Sequence, residues 1–250
     1  MDPAGKVALV TGGGSRVGRA ITLGLAQAGA DVVIHYHRSA GAAEETAAEA
    51  RGLGVEALVV QADLGDVEGA EALGEAAEAA FGGVDMLVHT ASPFIATRLD
   101  DLTPASWRLM MGVVVKGFLF LTKHLAPGMK ARGAGVIITL LDRGAFEPWP
   151  RLLVHGVAKS ALWALTRSLA VGLAPEVRVN GLVPGPVLPP PHYSEERIAR
   201  RAHSTLLERW GDPQDVVDAV LFLVRSDYVT GEALFMDGGE RWAHRRSSSG

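Results

Sequence analysis

A chain of 250 residues, 48% hydrophobic and 21% charged, is long enough for one α/β domain with a sizeable core. Its formal net charge of -4 excludes a generally basic nucleic-acid-binding surface, and the absence of Cys excludes disulfides and thiolate metal sites. MDPAGK at the N-terminus has neither the basic flank nor the apolar core of a signal peptide. The most apolar run, Leu109 to Leu121, is broken by Lys116 and falls short of the roughly 18–20 residues a membrane span needs. A soluble, cytoplasmic protein with no nucleic-acid or membrane partner is the expectation.

Val7 to Val10 are continuously apolar, as in a parallel strand covered on both faces. Gly12, Gly13 and Gly14 follow, where the backbone must turn sharply and approach a ligand closely. Val17, Ala20, Ile21, Gly24 and Leu25 recur at helical spacing, Gly29 ends that helix, and a second buried strand leads to His35. A glycine turn that feeds a helix N-terminus is an anion site, because unpaired N–H groups and the helix dipole face the phosphates. With a strand on either side of the turn and helix, a dinucleotide is the expected ligand.

Ala40 to Leu53 is helical in propensity, and Val55 to Gln61 is a third strand closed by Asp63-Leu64. Asp66 is placed to cap a helix that runs through Phe81 and stops at Gly82-Gly83. Val84 to His89 is a fourth strand, followed by the loop Thr90 to Thr103. A long helix runs from Pro104, a favourable first residue behind a Thr103 cap, to Lys130. Val136 to Leu141 is the fifth strand, and the loop Asp142 to Pro150 leads into a helix from Arg151 to Leu173. Val177 to Val183 is the sixth strand, Glu195 to Glu208 and Asp212-Pro213 to Val224 are helices, and Glu232 to Met236 is the last strand. The pattern predicts a single-domain, Rossmann-type doubly wound parallel sheet with helices on both faces over residues 1–240, and a disordered tail over 241–250. Ligands of such sheets sit beyond the strand carboxyl ends, where six polar or Gly/Pro-rich turns converge.

On TGGGSRVG at Thr11–Gly18, Asp63-Leu64, LVHTAS at Leu87–Ser92, Lys159 in HGVAK, VRVNGLVPG at Val177–Gly185 and VTGEALFMDGG at Val229–Gly239, the chain resembles a short-chain dehydrogenase/reductase over residues 5–240. Arg16 in the glycine motif, HYHRS at His35–Ser39, ASPF at Ala91–Phe94 and Asp142, where most members carry Ser, make the pteridine reductase branch the nearest resemblance. The resemblance implies a nicotinamide dinucleotide held by Gly12, Ser15, Arg16, Val17, Gly18, His37, Arg38, Ser39, Asp63, Leu64, Ala91 and Ser92, with Lys159 on the ribose. It places Pro184, Gly185 and Val187 beside the nicotinamide and Phe94 on a flat heteroaromatic substrate. The helices around 104–130 and 151–173 resemble those that pair in the family's dimers and tetramers, so a homo-oligomer is expected.

Charge selects the cofactor. A site for NAD often has an acid at the end of the second strand, binding the ribose diol. Here that end reads His37-Arg38-Ser39, and Arg38 with Arg16 is suited to clamp a 2′-phosphate, which points to NADP(H). His35 and His37 share a strand face, but no further ligand accompanies them, so no metal is expected.

The family's usual catalytic set is Asn, Ser, Tyr and Lys, the last two four residues apart on one helix face. Here Lys159 is preceded at that spacing by His155, Asp142 stands at the Ser position, and Val114 at the Asn position. Tyr36, Tyr193 and Tyr228 lie elsewhere in the sequence. Imidazole is a competent acid–base group near neutrality, so Asp142 with His155 is the candidate pair for moving a proton while NADPH reduces a C=O or C=N bond, with Lys159 completing the catalytic set. The alternative is a catalytically silent NADP(H)-binding protein acting as a sensor or oligomer subunit.

Overall fold

The computed structural model describes residues 1–190 and 192–245. Seven parallel strands form one sheet: β1 (Val7–Thr11), β2 (Asp31–Tyr36), β3 (Ala57–Gln61), β4 (Met86–His89), β5 (Gly135–Leu140), β6 (Val177–Pro184) and β7 (Ala233–Met236). Their spatial order is β3-β2-β1-β4-β5-β6-β7. The order reverses direction between β1 and β4, which pair from Ala8 with Met86 to Thr11 with His89. That pair marks the switch point, where the crossovers diverge and leave a crevice beyond the strand ends.

Helices α1 (Arg16–Gln27), α2 (Ala40–Gly52) and α8 (Pro213–Arg225) cover one face, and α3 (Val67–Phe81), α4 (Pro104–Met111), α5 (Phe118–Ala131) and α6 (Leu153–Gly172) cover the other. A short helix, α7 (Glu195–Ala202), lies outside both layers and buries none of its residues. The strands are buried on both faces, so alternate residues feed two cores: Leu9, Val33, Leu87 and Ile137 in one, Ala8, Val32, Val88 and Ile138 in the other.

Local chemistry sets several boundaries. Thr103 accepts from the Ser106 N–H and completes a capping box ahead of Pro104, and Asp212 and Asp215 do the same ahead of Pro213. Gly82, at φ +75, terminates α3. Asp66 stands at the N-cap of that helix, but its side chain makes no capping bond, so the expected cap is positional only.

Four further expectations need correction. The long helix at 104–131 contains a π-helical turn at Gly112–Gly117, which inserts an extra residue and rotates the following turns. At 28 residues this helix is long and apolar enough to cross a membrane by length and composition, but half of its most apolar window is buried. Met110, Val114, Phe118, Leu121, Leu125 and Met129 pack on the sheet, so their apolarity is that of a core helix. The helix expected over 195–208 ends at Ala202, where the Ser204 and Thr205 hydroxyls donate to the carbonyls of Arg201 and Ala202 and turn the chain. Residues 240–245, of which 241–245 belong to the tail expected to be disordered, form a 3₁₀ segment tied down by Asp237, whose carboxylate accepts from the Gly239 and Arg241 N–H groups. The rest of that expected tail, 246–250, lies outside the described residues.

Candidate active site

The crevice begins at the turn after β1. Gly12 adopts φ +68, and a Cβ on Gly18 would stand 2.1 Å from the Gly12 carbonyl oxygen, so the turn closes only on glycine. The Gly12 N–H donates to His35 Nδ1 at 3.1 Å, while His35 Nε2 donates to the Ala62 carbonyl at 3.1 Å. Both ring nitrogens are thus used within the protein, and His35 serves as a neutral strut rather than a metal ligand. Burial pushes its pKa down to about 4, against the opposing bond to Ala62.

On the β4 side, Thr11 Oγ1 accepts from the Thr90 and Ala91 N–H groups, both at 3.1 Å, and pairs with His89 Nδ1 at 3.0 Å. Burial first, then the Lys159 charge, holds His89 down to about 3. These two histidines stitch the switch point together, a role with no motif to announce it.

One cleft, of about 410 Å³, collects Gly12, Ser15, His37, Arg38, Ser39, Asp63, Leu64, Ala91 and Ser92 from four separate turns. Ser15 caps α1 without a side-chain bond, and no acid occupies the first turn, so the helix's leading N–H groups are open to an anion. The glycine cradle, the free N–H groups and Arg38 fit a phosphate-bearing dinucleotide. Arg16 does not join Arg38 as expected. Its backbone is left-handed at φ +49, and its Nη2 donates 2.9 Å to the Leu188 carbonyl across the crevice.

Arg16 and Val17 instead border a second cleft, of about 270 Å³, together with Phe94, Asp142, Trp149, Pro184, Gly185, Val187 and Tyr193. Tyr193, remote in sequence, therefore belongs to the site's outer wall. Asp142 Oδ1 accepts from the Gly144 N–H at 2.8 Å, and Oδ2 accepts from His155 Nε2 at 2.5 Å. One turn further along α6, Lys159 Nζ donates to the Leu140 carbonyl at 2.6 Å. The i,i+4 spacing on α6 puts His155 and Lys159 on one buried face, as the sequence requires.

The three groups are not equally placed. The Asp142 side chain is 22% exposed and borders the cleft, whereas that of His155 is 2% exposed. Trp149 lies parallel to the imidazole at 6.4 Å and Phe94 meets it edge-on at 5.1 Å, and its Nδ1 is buried without a hydrogen-bond partner. His155 thus stands behind Asp142, rather than facing the cleft beside it. Burial acts to raise the Asp142 carboxyl, but the His155 hydrogen bond and the Lys159 charge outweigh it and hold the group below the usual carboxylate range. Burial lowers Lys159, with Asp142 opposing. Phe94 is 72% exposed at the mouth, and Val114 is fully buried in the π-turn without a polar atom to offer.

A family model described as enoyl-(acyl carrier protein) reductase matches residues 14–240. Dehydrogenase/reductase SDR family member 4 of Sus scrofa is 36% identical over 245 residues, covering 94% of this chain and 86% of its relative. The chain belongs to the short-chain dehydrogenase/reductase family. Among solved structures, FolM alternative dihydrofolate reductase 1 from Brucella canis, complexed with NADP, is 32% identical with a TM-score of 0.88, covering 96% of each chain. A gluconate 5-dehydrogenase from Burkholderia cenocepacia, in complex with NADP and tartrate, is 29% identical with a TM-score of 0.87 over 95% of this chain and 96% of that one. These oxidoreductase relatives share the doubly wound sheet, and the family depends on nicotinamide cofactors.

Two outcomes follow from the crevice. Gly18→Ala drives a methyl group into the Gly12 carbonyl and abolishes saturable NADPH binding, read by fluorescence titration, while circular dichroism retains the helical signal. For His35 and His89 the native pKa values, about 4 and about 3, lie below the usual 6.5. The unfolded chain therefore takes up protons first as pH falls, and the stabilisation is complete above 6.5 and lost on the way down to about 4 for His35 and about 3 for His89. The unfolding free energy from guanidinium titration is expected to hold from pH 8 to 7 and to fall below 6.5, by on the order of 1 kcal/mol per pH unit for each histidine.

Proposed function

We propose that this chain is an NADP(H)-dependent reductase of a small, flat C=N or C=O substrate, with a protonated C=N of the pterin kind favoured. The observation that carries this reading is the Asp142 carboxylate, which borders the inner cleft while His155 Nε2 holds it from behind at 2.5 Å. Arg38 and Ser39 at the end of β2, with no acid in His37-Arg38-Ser39, support the 2′-phosphate form of the cofactor. The likeness to the NADP-complexed FolM alternative dihydrofolate reductase supports both the cofactor and the heterocyclic substrate.

When bound, the nicotinamide cofactor supplies the hydride. Asp142, kept ionised by the His155 N–H and the Lys159 charge, has no proton to offer a neutral carbonyl near neutrality. It is instead a counter-charge for an iminium N–H, which stabilises the electrophilic form of a C=N substrate. Hydride addition to that cation gives a neutral amine, so no further proton is needed. His155 acts through Asp142 by fixing the rotamer that Oδ1 and Oδ2 adopt. Lys159, anchored on the Leu140 carbonyl, would hold the nicotinamide ribose, a role that its i,i+4 position after His155 supports. Phe94 and Trp149 keep water from the imidazole and offer aromatic surface to a flat ring.

Exposed apolar side chains at Leu99, Leu102, Trp107, Leu109 and Val157 support the proposal of a homo-oligomer. The catalytically silent alternative rests on the replacement of Tyr by His155 beside Lys159. Turnover separates the two readings. Asp142→Asn is expected to lower kcat for NADPH-dependent reduction of a dihydropterin by at least about a hundredfold, with NADPH affinity unchanged. Equal turnover by the variant would remove Asp142 from the chemistry, and saturable NADPH binding without turnover of pterin, imine or ketone probes would favour the silent binder.

A further inference from the structure

Beyond the reaction centre, the crevice opens into an outer cleft of about 530 Å³ that shares Phe94, Arg143, Trp149, Tyr193 and Arg201 with the inner one. Its remaining wall is the short helix α7. Arg197, Arg200 and Arg201 stand at i, i+3 and i+4 on that helix, hence on one face, and all three border the outer cleft. Two of the four guanidiniums in this cleft are already neutralised. Arg143 and Arg201 both pair with the buried Glu240, and Arg143 also pairs with Glu147 at 2.6 Å. These bonds, with Trp210 Nε1 donating to the Ile198 carbonyl at 2.8 Å, clamp α7 against the site.

Arg197 and Arg200 are left over. The Arg197 guanidinium lies 3.8 Å from the centre of the Tyr193 ring, and Arg200 has no acidic partner among the described residues. Glu195 and Glu196 share the helix but do not border the cleft. The outer end of the crevice therefore presents two guanidiniums held in no ion pair among the described residues, beside aromatic surface, and the inner end presents the Asp142 carboxylate. A basic run on a convex surface would be a solvated face. These charges instead line a concavity that continues into the reaction centre.

We propose that the outer cleft is a subsite for the terminal oxyanion, carboxylate or phosphate, of a substrate whose flat reducible head lies at Asp142. The subsite rests on the reading of the inner cleft as the reaction centre. The opposed charges at the two ends also fix the orientation in which the substrate enters, head to Asp142 and tail to Arg197 and Arg200.

The test reads binding rather than turnover. The full chain, with NADP+ present at millimolar concentration, is titrated calorimetrically with hippurate, with phenyl phosphate, and with hippuramide as the neutral isostere of hippurate. At least one anion is expected to bind about tenfold more tightly than hippuramide, as for hydrogen bonds to charged groups. The tighter of the two identifies the tail chemistry. The double variant R197Q/R200Q, and R200Q alone in case the double variant folds poorly, are expected to lose that preference, and added salt to weaken it. Equal affinity for the anions and hippuramide, or a preference that survives both variants, overturns the subsite. A protein that prefers the anions but never oxidises NADPH keeps the subsite and loses the reductase reading. One that reduces neutral pterins without an anion preference does the reverse.

Discussion

A 2.5 Å hydrogen bond from His155 Nε2 to Asp142 Oδ2 governs the end of the crevice where we propose that reduction takes place. An imidazole on the buried face of α6 needs a polar partner, because an unmatched N–H in a low-dielectric interior is costly. Asp142 supplies it from the loop after β5, and the Gly144 N–H occupies its other oxygen. The same carboxylate offsets the charge of the buried Lys159. One ionised side chain thus satisfies two buried groups on α6 and still borders the cleft. Any residue that removed the charge at 142 would leave both without compensation, so position and chemistry are coupled.

The cofactor end depends on a different device. Four turns must meet within a few ångströms at the β1–β4 switch point, and turns carry many unpaired backbone groups. Thr11, His35 and Thr90 bind those groups in place of sheet partners: the Gly12 N–H goes to His35, and the Thr90 and Ala91 N–H groups go to Thr11. Burial keeps His35 and His89 neutral, which lets each ring accept on one nitrogen. The glycine turn is therefore held by side chains from neighbouring strands, and its helix N–H groups stay open for an anion. Arg16 leaves this group to reach Leu188, and so ties the glycine turn to the loop after β6 on the far side of the crevice.

Much of this was legible in the sequence because it rests on short-range rules. Continuous apolar runs gave the seven parallel strands, and Thr103-Pro104 and Asp212-Pro213 marked helix starts that the structure places at the same residues. The i,i+4 spacing of His155 and Lys159 put both on one face of α6. What the sequence could not show depends on where side chains end. Arg16 and Arg38 are both basic and near the phosphate turn, yet a left-handed backbone at Arg16 sends its side chain the other way. Asp142 and His155 look interchangeable as acid–base groups until Phe94, from the loop after β4, and Trp149, from the loop that carries Asp142, seal one of them off. The π-turn at 112–117 has no residue signature beyond its two glycines, and Tyr193 joins the site only because α7 folds back over it.

The central claim is that His155 keeps Asp142 ionised for a cationic substrate, and the acid limb of the pH profile tests it most directly. NADPH-dependent reduction of a dihydropterin would be followed from pH 3 to 9 in the natural protein and in His155→Phe, which keeps an aromatic ring at the position while deleting the Nε2–H. Without that bond the carboxyl takes up a proton at higher pH, so the account predicts that the fall in kcat/KM on the acid side moves upward in the variant. The alkaline limb, set by the substrate, stays where it was. An acid limb at the same pH in both proteins would contradict the account.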